Sequence, residues 1–208
     1  MDVNKFETQY ENLEEKIIES ARDLFVRQGF EQTSMSDIAQ AAEINRSTLH
    51  YYFRTKEKMF QAVFGSIVMS FLPRIQLIFD EEATFMEKLS KVLDEYFSIF
   101  MTNPFLPKFI LSEIQRDVDQ LLNVGRVLHL DQYLRAIGNV IEEEMKKGNI
   151  KSIPLPEVLI TFMSSVTFPF LSKNLVIALF YEDEAGFEHF LTQWKKRIMH
   201  QMEILLTA

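Results

Sequence analysis

The sequence predicts an all-α protein built in two parts, a small N-terminal three-helix unit and a larger C-terminal helical domain. Three observations predict it. Gly and Pro number only six each in 208 residues, so few positions invite chain reversal. Apolar residues recur at three- and four-residue spacing along most of the chain, and no alternating run bounded by hairpin residues interrupts them. The helical patterns are short and punctuated up to about Glu57 and run some twenty residues each from Lys58 onward. That change places a boundary near residue 56 and divides the chain into domains 1–56 and 57–208.

The first pattern, Asn12 to Gln28, carries Leu13, Ile17, Ala21, Leu24 and Phe25 on one stripe and ends at Gly29, the place of a C-terminal glycine cap. After the loop from Phe30 to Thr33, Ser34-Met35-Ser36-Asp37 has capping-box spacing and opens a short helix ending near Ala42. Asn45 is a good N-cap for a third helix, Arg46 to Phe53. Two short helices joined by a tight turn result. At 100° per residue, Arg46, Ser47, His50, Tyr51 and Arg54 share an arc of about 140°, while Leu49 and Phe53 lie opposite. One face packs, and the other presents a guanidinium, a hydroxyl, an imidazole and a phenol, groups suited to base edges and phosphates.

Charge sharpens this picture. The chain as a whole has a formal net charge of -8, which argues against global attraction to nucleic acid. Residues 1 to 58 hold eight bases against eleven acids, but from Ile44 to Lys58 four bases face Glu57 alone. The acidic domain therefore has a small basic tip.

The run T-S-M-S-D-I-A-Q-A-A-E-I-N-R-S-T-L-H-Y-Y-F-R-T-K-E-K-M-F, within a match from about Glu14 to Val63, resembles the helix-turn-helix DNA-binding domain of the TetR family of bacterial transcriptional regulators. The elements in register are the Gly29-Phe30 helix end, Asp37-Ile38-Ala39, Thr48-Leu49, the aromatics Tyr51-Tyr52-Phe53, and Lys56-Glu57 at the start of a fourth helix. By that resemblance Arg46, Ser47, Thr48 and His50 read bases, and Ser34, Tyr51, Tyr52 and Lys56 hold phosphates, with Ser36 a further DNA contact. The sequence departs from the family pattern at His50, where tyrosine is commoner, and at Glu43, where the turn commonly has glycine. If the turn requires positive φ at residue 43, glutamate there costs on the order of 1 kcal/mol.

Beyond Lys56 the periodicity predicts helices over about Lys56 to Phe79 with a kink at Pro73, Glu82 to Thr102, Pro104 to Arg116, Asp119 to Lys147, Pro156 to Phe180, and Glu184 to Leu206. The stretch from 158 to 181 is long enough to span a bilayer but carries Lys173, Asn174, Pro169 and five Ser or Thr residues, so it reads as a helix buried against protein and no membrane is expected. Helices before Gly148 are expected to enclose a core. The last two are apolar on nearly every side or carry the stripe Phe187, Phe190, Leu191, Trp194, Ile198 and Met202, and the resemblance implies that they pair with their twofold mates as a four-helix bundle in a homodimer.

Nineteen Phe and ten Met are mostly core, although Met-rich linings adapt to varied apolar guests. Relatives bind an effector among these helices. By resemblance a small apolar or amphipathic effector sits among Phe71, Ile75, Phe97, Met101, Phe109, Ile110, Leu130 and Tyr133, with Arg126 or His129 as polar anchors, and the helix opening at Lys56 links that wall to the DNA reader. Four His without metal spacing, and no GxSxG, GxGxxG or phosphate-loop motif, speak against an enzyme and against a metal or cofactor. Zero Cys and an acidic N-terminus, Met1 to Lys16, with no apolar signal core agree with a cytoplasmic protein. The expected function is a homodimeric repressor on a palindromic double-stranded operator. The alternative is an apolar-ligand-binding dimer whose N-terminal domain no longer reads DNA.

Overall fold

A computed structural model describes residues 3–207, with side chains from residue 13 onward. Met1 and Asp2, the start of the N-terminal segment read above, lie outside the described residues. The described residues form twelve helices and no strand: α1 (Val3–Gln28), α2 (Met35–Ala41), α3 (Arg46–Tyr52), α4 (Lys56–Met69), α5 (Leu72–Asp80), α6 (Phe85–Thr102), α7 (Leu106–Arg116), α8 (Val118–Val127), α9 (Leu130–Lys147), α10 (Leu155–Leu171), α11 (Lys173–Phe180) and α12 (Glu184–Leu206). They gather into two compact units, one within residues 3–70 and 108–129 and the other within residues 71–107 and 130–207.

In the first unit α1 packs against α2 and α4, and α4 against α8. The predicted stripe of α1 is its buried face: Ile17, Ala21 and Phe25 are fully buried. Gly29 ends α1 at φ +85°, a value that glycine adopts without steric cost. Phe25, Phe30 and Phe60 then form an aromatic cluster with ring centroids 5.3 to 5.8 Å apart. The unit extends past residue 56 because the buried face of α4, with Met59, Phe60 and Val63, completes this core. Helix length changes at residue 56, whereas packing changes at Ser70.

In the second unit α5 packs on α6 and α9, and α12 on α6, α10 and α11. Several predicted helices divide here. The helix expected from Lys56 to Phe79 stops at Met69 and restarts at Leu72, with Pro73 in the first turn of α5, where its missing amide costs nothing. α6 starts at Phe85 rather than Glu82 because Thr84 and Glu87 form a capping box. α7 starts at Leu106, two residues after the expected Pro104. The helix expected over Asp119 to Lys147 breaks at Leu128–His129, with His129 at φ +54°. The helix expected from Pro156 to Phe180 bends by 64° between α10 and α11. Pro169 lies inside α10 and has no amide to give the carbonyl of Ser165 four residues back. That carbonyl instead accepts the indole N–H of Trp194 on α12 at 2.9 Å.

Part of the apolar surface assigned by resemblance to a twofold bundle is used within the protomer. Phe187, Leu191, Ile198 and Met202 of α12 are buried within the protomer, against neighbours that include α6 and α10. α11 differs: it buries none of its residues.

Candidate nucleic-acid interface and effector cavity

The reading unit is built by its caps. Ser34 accepts the amide of Asp37 at 3.2 Å while the Asp37 carboxylate accepts the Ser34 amide at 2.9 Å and its hydroxyl at 2.7 Å. These two bonds from Ser34 hold the Asp37 carboxyl below its ordinary value. Thr33, the residue before this cap, donates its hydroxyl to the Gly29 carbonyl at 2.9 Å and is buried. Asn45 caps α3 by accepting the Thr48 amide at 2.8 Å. Between the two helices Glu43 adopts φ +58°, so the turn does demand the left-handed conformation that the family's glycine would supply. Its carboxylate pairs with Lys16 Nζ of α1 at 3.0 Å, a contact worth little at this exposure.

α3 divides as its spacing requires. Leu49 and Phe53 are buried, and Arg46, Ser47, His50 and Tyr51 are exposed; Tyr51 is 77% exposed, an unusual state for a tyrosine with no partner element above it. The remaining candidates are placed differently. Thr48 is half-buried, and its hydroxyl donates to Asn45 Oδ1 at 3.0 Å. Tyr52 is half-buried beside Tyr51, edge to face at 5.4 Å. Ser36 is exposed, whereas Lys56 is half-buried and donates to the Glu31 carbonyl at 3.3 Å. Two cations absent from the family-derived set, Arg54 and Lys58, line an open depression with Tyr51, Tyr52, Phe53 and Thr55. The local charge balance of Ile44 to Lys58 was the signal that pointed to them.

The second unit contains a cavity of about 270 Å³. α5 lines it with Leu72, Ile75 and Phe79, α6 with Phe85, Leu89, Val92 and Tyr96, α9 with Leu134, Ile137, Gly138 and Ile141, and α10 with Leu155, Val158, Leu159, Phe162 and Met163. Tyr96 contributes the one side-chain polar group among these. Burial pushes its phenol up to about 12, so the ring stays neutral and offers one donor and one acceptor.

Of the ten residues expected to hold an effector, only Ile75 lines this cavity. Phe71 packs on Tyr96 at 6.0 Å and Phe97 on Phe170 at 5.5 Å. Leu130 is buried elsewhere, Met101 is 44% exposed, and Tyr133 is half-buried. Phe109, Ile110, Arg126 and His129 belong to the first unit, where Phe109 packs on Phe60 at 6.1 Å. Nor does α4 supply any wall, so the helix opening at Lys56 is not the direct link to this cavity. The sequence reading reached α9 only at Leu130 and Tyr133 and left α10 out, because the apolar residues of α10 were assigned to a dimer seam, whereas Leu134, Ile137, Gly138 and Ile141 of α9 line the cavity.

A three-helix unit with paired capped helices, a solvent-facing donor array and a basic tip defines a helix-turn-helix DNA-binding protein. Residues 17–63 match the sequence profile of "Bacterial regulatory proteins, tetR family". Among curated proteins, "Probable HTH-type transcriptional regulator YttP" of Bacillus subtilis is 24% identical, over 80% of this chain and 81% of its own. The "Fatty acid metabolism regulator protein" of the same species is 26% identical over 65% of this chain and 70% of its own. The structure of the transcriptional regulator FadR from Bacillus subtilis in complex with stearoyl-CoA superposes with a TM-score of 0.70 at 20% identity, over 90% of this chain and 96% of that one. Residues 17–63 thus match the N-terminal domain of the TetR regulators, and the similarity to curated helix-turn-helix regulators over 80% of the chain supports a DNA-binding transcriptional regulator.

Proposed function

We propose that the protein is a cytoplasmic homodimeric repressor that places two copies of α3 in successive major grooves of a roughly palindromic operator, about 34 to 36 Å apart. The observation that carries this reading is the division of α3, with Leu49 and Phe53 buried and Arg46, Ser47, His50 and Tyr51 facing solvent. In this reading Arg46, Ser47 and His50 contact base edges. Ser36, Tyr51, Arg54 and Lys58 contact phosphates, while Ser34 and Thr48 act through their backbone and caps. Domain 1–56 then reads DNA, and domain 57–208 senses the effector and dimerises.

The dimer seam is supported by the apolar residues that α10 and α11 leave exposed: Ile160, Phe168, Leu175, Leu179 and Phe180 are each 60% to 72% exposed in the protomer. Fully covering such a side chain is worth roughly 1.5 to 3 kcal/mol, and a twofold axis lets one patch cover itself. The effector is an apolar molecule or the hydrocarbon part of an amphiphile, held in the α5–α6–α9–α10 cavity, where the lining includes no charge to pair with a charged head group. The stearoyl-CoA of the FadR structure is consistent with that class. Occupancy favours a dimer whose reading helices are wrongly spaced, and a coupling of about 1 to 3 kcal/mol suffices. The test is to select duplex from a random pool with the protein and footprint the product. Two protected major-groove patches about one helical turn apart, with affinity falling steeply with salt, are expected. A protein that enriches no duplex, yet binds apolar ligands, is the non-reading carrier instead.

A further inference from the structure

Glu113 on α7 is, with Thr33, one of two buried polar residues in the described core, and it is only 1% exposed. A carboxylate there is costly unless paired. Its partner is Arg116, one turn along the same helix, whose Nε donates to Glu113 Oε2 at 2.7 Å and whose Nη2 lies at the same distance from that oxygen. Nη2 also donates to Gln120 Oε1 at 2.6 Å. The guanidinium is thereby fixed as a flat plate, and its carbon lies 4.1 Å from the centroid of the Phe30 ring. Nη1 reaches to 4.0 Å from the Glu31 carboxylate. From α4, Lys56 Nζ approaches the same ring at 4.3 Å and donates to the Glu31 carbonyl.

Phe30 and Glu31 lie in the short loop from which the reading helices depart. The Thr33 amide donates to the Phe30 carbonyl at 3.3 Å, and the next residue, Ser34, caps α2. A displacement of Phe30 therefore moves the start of α2 and, through the turn at Glu43, α3. Stability alone is a weak reason for this cluster, because a buried ion pair often does no better than an apolar replacement. A planar guanidinium that pairs with Glu113 while stacking on an aromatic ring does fix orientation, which a lysine cannot do equally. We infer that Arg116, held by Glu113, is a positioning residue for operator binding: from α7 it clamps the Phe30–Thr33 loop and so sets the angle at which α2 and α3 meet DNA.

This inference rests on the DNA-reading function and is separable from it. The probe is a duplex enriched from a random-sequence pool by the wild-type protein. The variants are Arg116→Lys, which keeps a charge against Glu113, and the double variant Glu113→Gln with Arg116→Met, which removes both charges at similar volume. Both are expected to fold and dimerise, to bind the duplex about ten-fold more weakly, and to keep the wild-type slope of log affinity against log salt, since no phosphate contact is lost. Exchange of the Thr33 amide should quicken by about the same factor, reporting the loosened loop. If the double variant fails to fold, Arg116→Lys alone decides. Wild-type affinity and wild-type Thr33 exchange in a folded variant would overturn the inference. So would a salt slope lowered by about one, which would make Arg116 a phosphate contact. A wild-type protein that enriches no duplex would instead defeat the DNA-reading function, and Thr33 exchange would still decide whether Arg116 clamps the loop.

Discussion

Glu43 shows how a single residue can carry a cost that the surrounding turn imposes. The chain between α2 and α3 reverses through φ +58° at this position, a region that a side chain with a β-carbon enters at a cost on the order of 1 kcal/mol. The exposed ion pair to Lys16 returns only a few tenths of that at ordinary salt. Glu43→Gly should therefore raise unfolding free energy by about 0.5 to 1 kcal/mol in urea titration, with the helix content unchanged. A variant less stable than wild type would mean that the Lys16 pair outweighs the backbone strain. The departure from the family glycine was legible in the sequence, and so was its consequence, because a β-carbon at a left-handed position is a local matter. By contrast, nothing in the residues near His129 announces its φ of +54°, where an uninterrupted helical pattern breaks between α8 and α9.

Several helices in this protein begin where a side chain can satisfy the first orphan amides. Ser34 with Asp37 and Thr84 with Glu87 each form a reciprocal box, and Asn45, Thr55 and Asp183 cap α3, α4 and α12. Hydrogen bonds from the caps hold Asp37 and Glu87 below the ordinary carboxylate range. Glu57 is lowered likewise, first by its own backbone amide, and Glu144 first by Asn149. A carboxylate whose folded pKa is depressed contributes stability that is present above its unfolded pKa and lost as pH falls through the folded value. Stability should thus decline between about pH 5 and pH 3, and less steeply in a protein carrying Asp37→Asn and Glu87→Gln. Parallel declines in the two proteins, followed by urea titration across that range, would contradict the role given to the boxes. Element starts with such caps were readable from the sequence at Ser34 and Asn45, and Pro73 marked the break at 70–71, whereas the break at 128–129 carries no comparable local signature. Pro169 was visible as well, but a reader of the sequence has no means to see that Trp194 takes the carbonyl it leaves unpaired.

At the scale of the molecule, part of the apolar surplus identified in the sequence lies on the first of the two helices expected to pair, now divided into α10 and α11. Phe187, Leu191, Ile198 and Met202 of α12 are buried in the core of their own unit, while Ile160 and Phe168 of α10 and Leu175, Leu179 and Phe180 of α11 are left in water. Replacing Leu175 and Leu179 by Asp should leave the protomer folded, since both are about 60% exposed, while sedimentation shows a monomer in place of a dimer. A dimer that persists would place the seam on another face. The exposed face of α3 was legible because a short helix, its caps and its charge balance are all local in sequence. The cavity was not, because four helices distant in sequence contribute its wall, and apolar periodicity does not distinguish a residue that lines a void from one that fills the core.

The most direct measurement compares the affinity of wild type and of a protein carrying Arg46→Ala and Tyr51→Ala for duplex selected by the wild-type protein. Both residues are exposed in the protomer, so the variant should remain a folded dimer. A base or phosphate contact at each position predicts a loss of about 100-fold or more. Undiminished binding by the folded variant would contradict the assignment of α3 as the DNA-reading helix.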